Sequence, residues 1–446
     1  MATTTETVTL PYIQALETLA SLDWADLVAL DLSKFDQPGG KHELAAELST
    51  AIEKIGFFYV VNHGLSREDI DTQFALASSV LGLSDAEKTP YRAALEAGDY
   101  NGWKPAGTRE LILGVRDNFE IYDIPKFILE HAERPHPDVV KEHWATIEKF
   151  SRHVHDHIVK KLLVIFALAL GLDDEEWFVK KHRYEKSSGD HLWYMKYYAR
   201  SEEENRKLDG TLRHGQLGPP LPPARRRPLI NIADALQFLT NGYLKSSIHR
   251  VVAPPRDQAH INRLGVIYMV RIEDDTELVP IKESPVLQRR GLADGAVLGA
   301  DGKPVKAGEW VRERTIENLG STSSAAGDNA VSDLEVIKGV KMRKTQPIET
   351  ASTVHLQPPK LSPTPATTMS GMPFTAGSEA YGGWPHRRSI IEFSSDFKDA
   401  LRADIHEAES SERCDEAAQT PSSLPSSFKT SFLDWFFTSD PLKPRK

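Results

Sequence analysis

The first patterned stretch of the chain is a short apolar run, LVALDLSKF, followed by Leu44, Leu48, Ile52 and Ile55 at steps of three or four residues. That period puts one apolar stripe on a helix. Gly56 ends the stripe. Phe57-Phe58-Tyr59-Val60-Val61 then has the length and composition of a buried strand and runs into the turn Asn62-His63-Gly64. Between residues 139 and 172, Trp144, Ile147, Phe150, Val154, Ile158, Leu162, Phe166 and Leu170 form a second stripe, which predicts one long amphipathic helix. The run HLWYMKYYAR at 191–200 reads as an aromatic strand. Two more runs of strand character follow, Ser247 to Val252 and Leu264 to Ile272, set off by the turn residues Thr240-Asn241-Gly242 and Pro254-Pro255. From about Thr345 the pattern dissolves into Ser, Thr, Pro, Gly and acidic residues, which predicts a mostly disordered tail over 346–446. Within it, Ser431 to Phe437 is an apolar cluster, either a docking segment or simply a sticky end.

The 446 residues suffice for one large domain or two, and 40% hydrophobic content permits a proper core. A net charge of −10 without a long basic block argues against nucleic acid or an anionic membrane as the main partner. The single cysteine, Cys414, rules out an intrachain disulfide and suits a reducing compartment. No basic-then-apolar leader opens the sequence, and no apolar run is long enough to span a bilayer. The expectation is a soluble, cytoplasmic protein, monomeric and acting on a small molecule.

Two places carry candidate chemistry. His153 and His157 lie four apart and share a helix face, so a metal pair is conceivable. No third ligand matches them, and a polar face beside the core stripe explains them more simply. In the run Ser247 to Val252, alternation sends Ser247, His249 and Val251 one way and Ile248, Arg250 and Val252 the other. His249 therefore sits on an inner face among apolar neighbours, and Arg263 at the start of the next strand can point a fixed cation into the same interior. Alone, a strand histidine is more often a hydrogen-bonded core residue, and a strand-edge arginine is more often solvated.

Taken together, Asn231, Asn241-Gly242, KSSIHRVV and RLG resemble the C-terminal half of the iron- and 2-oxoglutarate-dependent oxygenases of the isopenicillin N synthase-like family. The order strand, helix, GFFYVVNHG, helix is similar to that family's N-terminal segment, where His63 would be structural. The resemblance spans roughly residues 26–345. It implies a double-stranded β-helix (jelly-roll) core, mainly β with flanking helices. By domains it implies an N-terminal oxygenase-type part at 26–140 and a jelly-roll domain at 141–345. It also implies Fe(II) and 2-oxoglutarate, and oxidation of a small organic substrate with O2, releasing succinate and CO2. His249 would be an iron ligand, as a neutral imidazole suits Fe(II). Arg263 would grip the far carboxylate of 2-oxoglutarate with its planar fork, and Tyr198 would bond the same co-substrate. Lys196 and Gly265 depart from the family's Asn and Ser.

The family also needs an upstream His-x-Asp. Here Thr211 to Pro228 reads TLRHGQLGPPLPPARRRP, in which His214 is followed two positions on by Gln216, a poor ligand. The prolines make it a poor strand, and three consecutive arginines do not suit a core. Degenerate codons for this stretch, read one base on, permit His-Ser-Asp-Met-Gly-Ser-Leu and a Leu-rich continuation, as the family would have there. A hairpin's worth of family sequence is also missing before Leu229. The expectation is an oxygenase whose first His-x-Asp was lost through a frame shift or altered splice; the alternative is a catalytically dead oxygenase-like binding or regulatory protein.

Overall fold

In the computed structural model, the described residues are 18–320, without 212–226, 245–253 and the single positions 23, 55, 109, 113, 297, 300 and 301, together with three later strands at 334–337, 340–343 and 433–438. They all fall in one compact unit, which includes the strand at 433–438.

In chain order the strands are β1 (Ala29–Asp31), β2 (Phe57–Val61), β3 (Gly102–Lys104), β4 (Glu110–Ile112), β5 (Val115–Arg116), β6 (Phe119–Pro125), β7 (His191–Tyr197), β8 (Leu229–Ile232), β9 (Arg263–Val270), β10 (Leu334–Ile337), β11 (Val340–Arg343) and β12 (Leu433–Thr438). Eight of them form one sheet in the order β1-β2-β8-β12-β9-β7-β6-β3, while β4–β5 and β10–β11 are two-stranded sheets. Within the large sheet only β1 and β2 pair in parallel. Strands from 26–140 and from 141–345 thus share one sheet. The second sheet that a jelly roll requires is not found among the described residues. The expected strand Ser247 to Val252 lies outside them, as does nearly all of Thr211 to Pro228, the stretch read above as a poor strand.

Alternation along the strands divides the sheet into two faces. Leu192, Tyr194, Tyr122, Ile124, Leu264, Val266, Tyr268 and Val270 join the main core, which the helices complete. Trp193, Met195, Ile121, Ile267 and Met269 form a separate cluster on the other face, with Phe119 and Tyr197 packed against it.

The first helix follows its expected stripe. Helix α1 (Gly40–Lys54) buries Leu44 and Leu48 completely, and Gly56 takes a φ of +76, a conformation that suits glycine past a helix end. Helix α2 (Arg67–Val80) starts with a capping box in which the Ser66 hydroxyl accepts from the Asp69 N–H at 3.0 Å and the Asp69 carboxylate accepts from the Ser66 N–H at 3.0 Å.

The stripe at 139–172 is not one helix. Asp138–Glu142 ends at His143, whose φ of −106 and ψ of 17 leave the helical region; Trp144–His153 then passes through a π turn, Val154–Val159, into Lys160–Ala169. The π turn brings Val154, Ile158 and Val159 all fully inside.

Within the tail expected to be mostly disordered, Leu433–Thr438 forms β12, which lies between β8 and β9 in the large sheet. The rest of the tail beyond β11 lies outside the described residues.

Candidate functional site

Arg263 opens β9 directly opposite Tyr197, the last residue of β7. Its guanidinium carbon lies 4.8 Å from the centre of the Tyr197 ring. This is stacking range for a cation on an aromatic face, and the ring fixes the plane of the fork. Burial pushes the Tyr197 phenol up from its ordinary pKa, and the charge of Arg263 partly offsets that. Both residues belong to the face bearing Trp193, Met195 and Ile267, away from the helices. Gly265 lies two residues along β9 from Arg263 and pairs with Met195.

Tyr198 does not join them. One step beyond Tyr197, it falls on the helix-side face, where its hydroxyl donates to Glu120 Oε1 at 2.6 Å. Glu120 is buried in β6 and also accepts from Lys88 Nζ at 2.8 Å and from the Trp103 indole N–H at 3.2 Å, both at Oε2. Lys88 ends the short helix α3 (Asp85–Lys88) and is itself 2% exposed. Burial, and then Glu120, push the Tyr198 phenol upward. Lys196, opposite Glu120 in the ladder, has its ammonium pKa lowered by burial, an effect Glu120 opposes.

Of the three site residues read from the sequence, then, Arg263 stands at the expected strand start, Tyr198 is turned toward Glu120, and His249 lies outside the described residues. His214 and Gln216 lie outside them too. Tyr197 was missed. Alternation alone would have separated it from Tyr198, but only the register with β9 shows which of the two faces Arg263.

Three further histidines, His63, His153 and His157, have partners among the described residues. His63 sits in the turn after β2, where its Nδ1 accepts from the Leu65 N–H at 3.3 Å and its carbonyl accepts from His153 Nε2 at 3.0 Å. Burial, and the neighbouring His153, bring the pKa of His63 down to about 4. His153 and His157 stack with ring centres 4.8 Å apart. No group of three or more His, Cys, Asp or Glu able to hold a metal occurs among the described residues, so these do not by themselves fit an iron centre. No helix among them is long and apolar enough to cross a membrane.

Residues 28–145 match the family model described as non-haem dioxygenase in morphine synthesis N-terminal, and residues 201–271 match the 2OG-Fe(II) oxygenase superfamily. A UPF0676 protein of Schizosaccharomyces pombe is 27% identical, with 68% of this chain and 95% of that protein covered. The 2-oxoglutarate-dependent dioxygenase gloE of Glarea lozoyensis is 25% identical, with 59% of this chain and 84% of that protein covered. Among solved structures, Neurospora crassa T7H in complex with alpha-KG superposes with a TM-score of 0.54 at 18% identity, covering 66% of this chain and 98% of that one. The order of these elements, the two family matches and the shared fold lead to one assignment: the chain belongs to the 2-oxoglutarate- and Fe(II)-dependent oxygenase superfamily, among its isopenicillin N synthase-like members.

Proposed function

We propose that this chain derives from a dioxygenase that oxidises a small organic substrate with O2 and 2-oxoglutarate, and that it keeps the co-substrate end of the site while its iron end is incomplete. Support for the first half is the cation at the start of β9. Arg263 is stacked and half-buried on the face opposite the helices, where a planar fork suits the far carboxylate of 2-oxoglutarate. Tyr197 shares that face and steadies the fork. The proposed role of Tyr198 in holding the keto acid would require its hydroxyl to leave Glu120.

Support for the second half is in the sequence. His249 is the one family imidazole retained, whereas His214 is followed by Gly215 and Gln216 in place of the residues that complete His-x-Asp. Iron, when bound, would supply the oxygen chemistry, but three protein donors are needed to leave positions open for keto acid and oxygen. One imidazole does not hold Fe(II) against water, so no catalytic step is assigned to this chain. The reading is a cytoplasmic monomer, free of nucleic acid and membrane, that binds 2-oxoglutarate without turning it over.

The deciding experiment is to sequence the transcript across the codons for Lys207 to Ala233 together with the genomic DNA. A shifted frame spelling His-Ser-Asp, with a fuller transcript restoring the missing hairpin, identifies a working iron oxygenase of which this chain is a defective product. A frame that holds, with no alternative transcript, favours the second reading, a catalytically dead binding protein. For the chain as written, titration calorimetry with 2-oxoglutarate should show binding that Fe(II) barely strengthens, and no succinate should form. Succinate production by the chain as written would overturn the reading.

A further inference from the structure

Strands β8 and β9 are separated in the large sheet by β12 alone. Leu433 to Phe436 pair antiparallel with Ile232 back to Leu229, and Leu433 to Thr438 pair antiparallel with Val270 back to Gly265. Without β12, the half β1-β2-β8 and the half β9-β7-β6-β3 would share no ladder, and each would present an open edge of unpaired N–H and C=O groups. The segment closing this gap enters from far along the chain: β11 ends at Arg343 and β12 begins at Leu433. Its sequence, LDWFFT, is rich in the aromatic residues that strands favour. It reaches Gly265, two residues from Arg263.

A strand so far along the sequence from its neighbours behaves as a bound ligand. Closing a loop costs free energy that grows only with the logarithm of its length, so the separation in sequence does not forbid docking. Main-chain hydrogen bonds on both sides supply the affinity, as when an extended peptide adds to a sheet edge. We propose that the gap between β8 and β9 is a strand-docking site, and that its occupant is the chain's own C-terminal segment, held in cis, whose docking joins the two halves of the sheet. This does not depend on whether the chain binds 2-oxoglutarate or turns it over.

Two measurements on the full-length chain test it. In the unmodified protein, amide hydrogen exchange at Leu433–Thr438 should be at least about a hundredfold slower than in a free peptide of residues 424–446, and should slow together with Leu229–Ile232. Exchange at the free-peptide rate would overturn the proposal. Second, in a Cys414→Ser background, Asp434→Cys is combined with Met269→Cys, its direct partner, or with Gly265→Cys, which partners Thr438. Opposed strand residues have Cα atoms roughly 4.5–5.5 Å apart, within disulfide range, whereas four residues along a strand adds about 13 Å. Mild oxidation should link Asp434→Cys to Met269→Cys within one chain and leave the Gly265→Cys pair open. Equal linking of both pairs, or of neither, overturns the register. Links between two chains overturn docking in cis. If a cysteine pair fails to fold, the exchange experiment decides alone.

Discussion

Arg263 and Tyr197 face each other across the β7–β9 ladder, with the guanidinium 4.8 Å from the ring centre. If this is the carboxylate anchor, Arg263→Ala should weaken 2-oxoglutarate binding about tenfold to a hundredfold, as the loss of a charge-assisted pair worth roughly 1.5–3 kcal/mol implies. Arg263→Lys should fall between, because it keeps the charge and loses the fork. Tyr197→Phe should change little, since the ring face remains, while Tyr197→Ala should weaken binding. Calorimetry on the four variants checks the order. An Arg263→Ala chain that binds as well as the parent removes the anchor from consideration.

Tyr198 separates a structural role from a binding role. Tyr198→Phe takes away one donor to the buried Glu120, so stability should fall by about 1–3 kcal/mol. Affinity for 2-oxoglutarate should stay within a factor of two. A large affinity loss without loss of stability would instead favour Tyr198 as a co-substrate contact.

The Lys88–Glu120 pair is almost fully inside, each residue 2% exposed. Removing one partner strands the other charge. Lys88→Met should cost on the order of 3–5 kcal/mol, and Lys88→Met with Glu120→Gln should cost clearly less. A denaturant double-mutant cycle measures the difference; additive losses would show that the two charges do not depend on each other.

Much of this arrangement was legible before any coordinates. The stripe of Leu44 and Leu48, the strand Phe57–Val61, the turn at His63, the aromatic strand after His191 and the start of β9 at Arg263 all follow from local period and composition, because each is a short-range pattern. Three things were not legible. The face of Tyr197 depends on the register with β9, a long-range choice that one strand's sequence does not contain. Glu120 carried no signal in the sequence, because Lys88, Trp103 and Tyr198 converge on it from three other segments. The apolar cluster at the C-terminal end was recognisable as sticky, but its place beside β9 requires the gap that β8 and β9 leave.

Asp123 is a buried carboxyl in β6, 4% exposed, and its Oδ1 has no hydrogen-bond partner among the described residues. Burial holds its pKa well above the ordinary value, against the pull of Lys104 and Arg271. A folded-state pKa above the unfolded one means that stability is lost as pH rises through the unfolded value near 3.9. Asp123→Asn should therefore raise the Tm at pH 7, and the gain should vanish near pH 3.5. Thermal scans at the two pH values check it, and a destabilised Asp123→Asn at pH 7 would mean that the ionised carboxylate has a use in the native protein.

Two buried histidines, His136 and His182, act in the opposite pH direction. His136 and His182 are 3% and 1% exposed, and burial is the main cause that brings both pKa values down to about 4. His136 Nδ1 is bonded to the Tyr122 hydroxyl at 2.8 Å, and His182 Nδ1 to the Phe178 carbonyl at 2.7 Å. With folded values below the unfolded value near 6.5, the unfolded chain takes up protons first. Their contribution is present above pH 6.5 and is lost as pH falls toward 4, on the order of a few kcal/mol for each when complete. The urea midpoint should accordingly drop steadily between pH 6.5 and 4.5, before surface carboxylates protonate. His182→Gln should shrink the slope by roughly one proton over that interval. A midpoint that stays level from pH 7 to 5 would show that these imidazoles are already open to water in the native state.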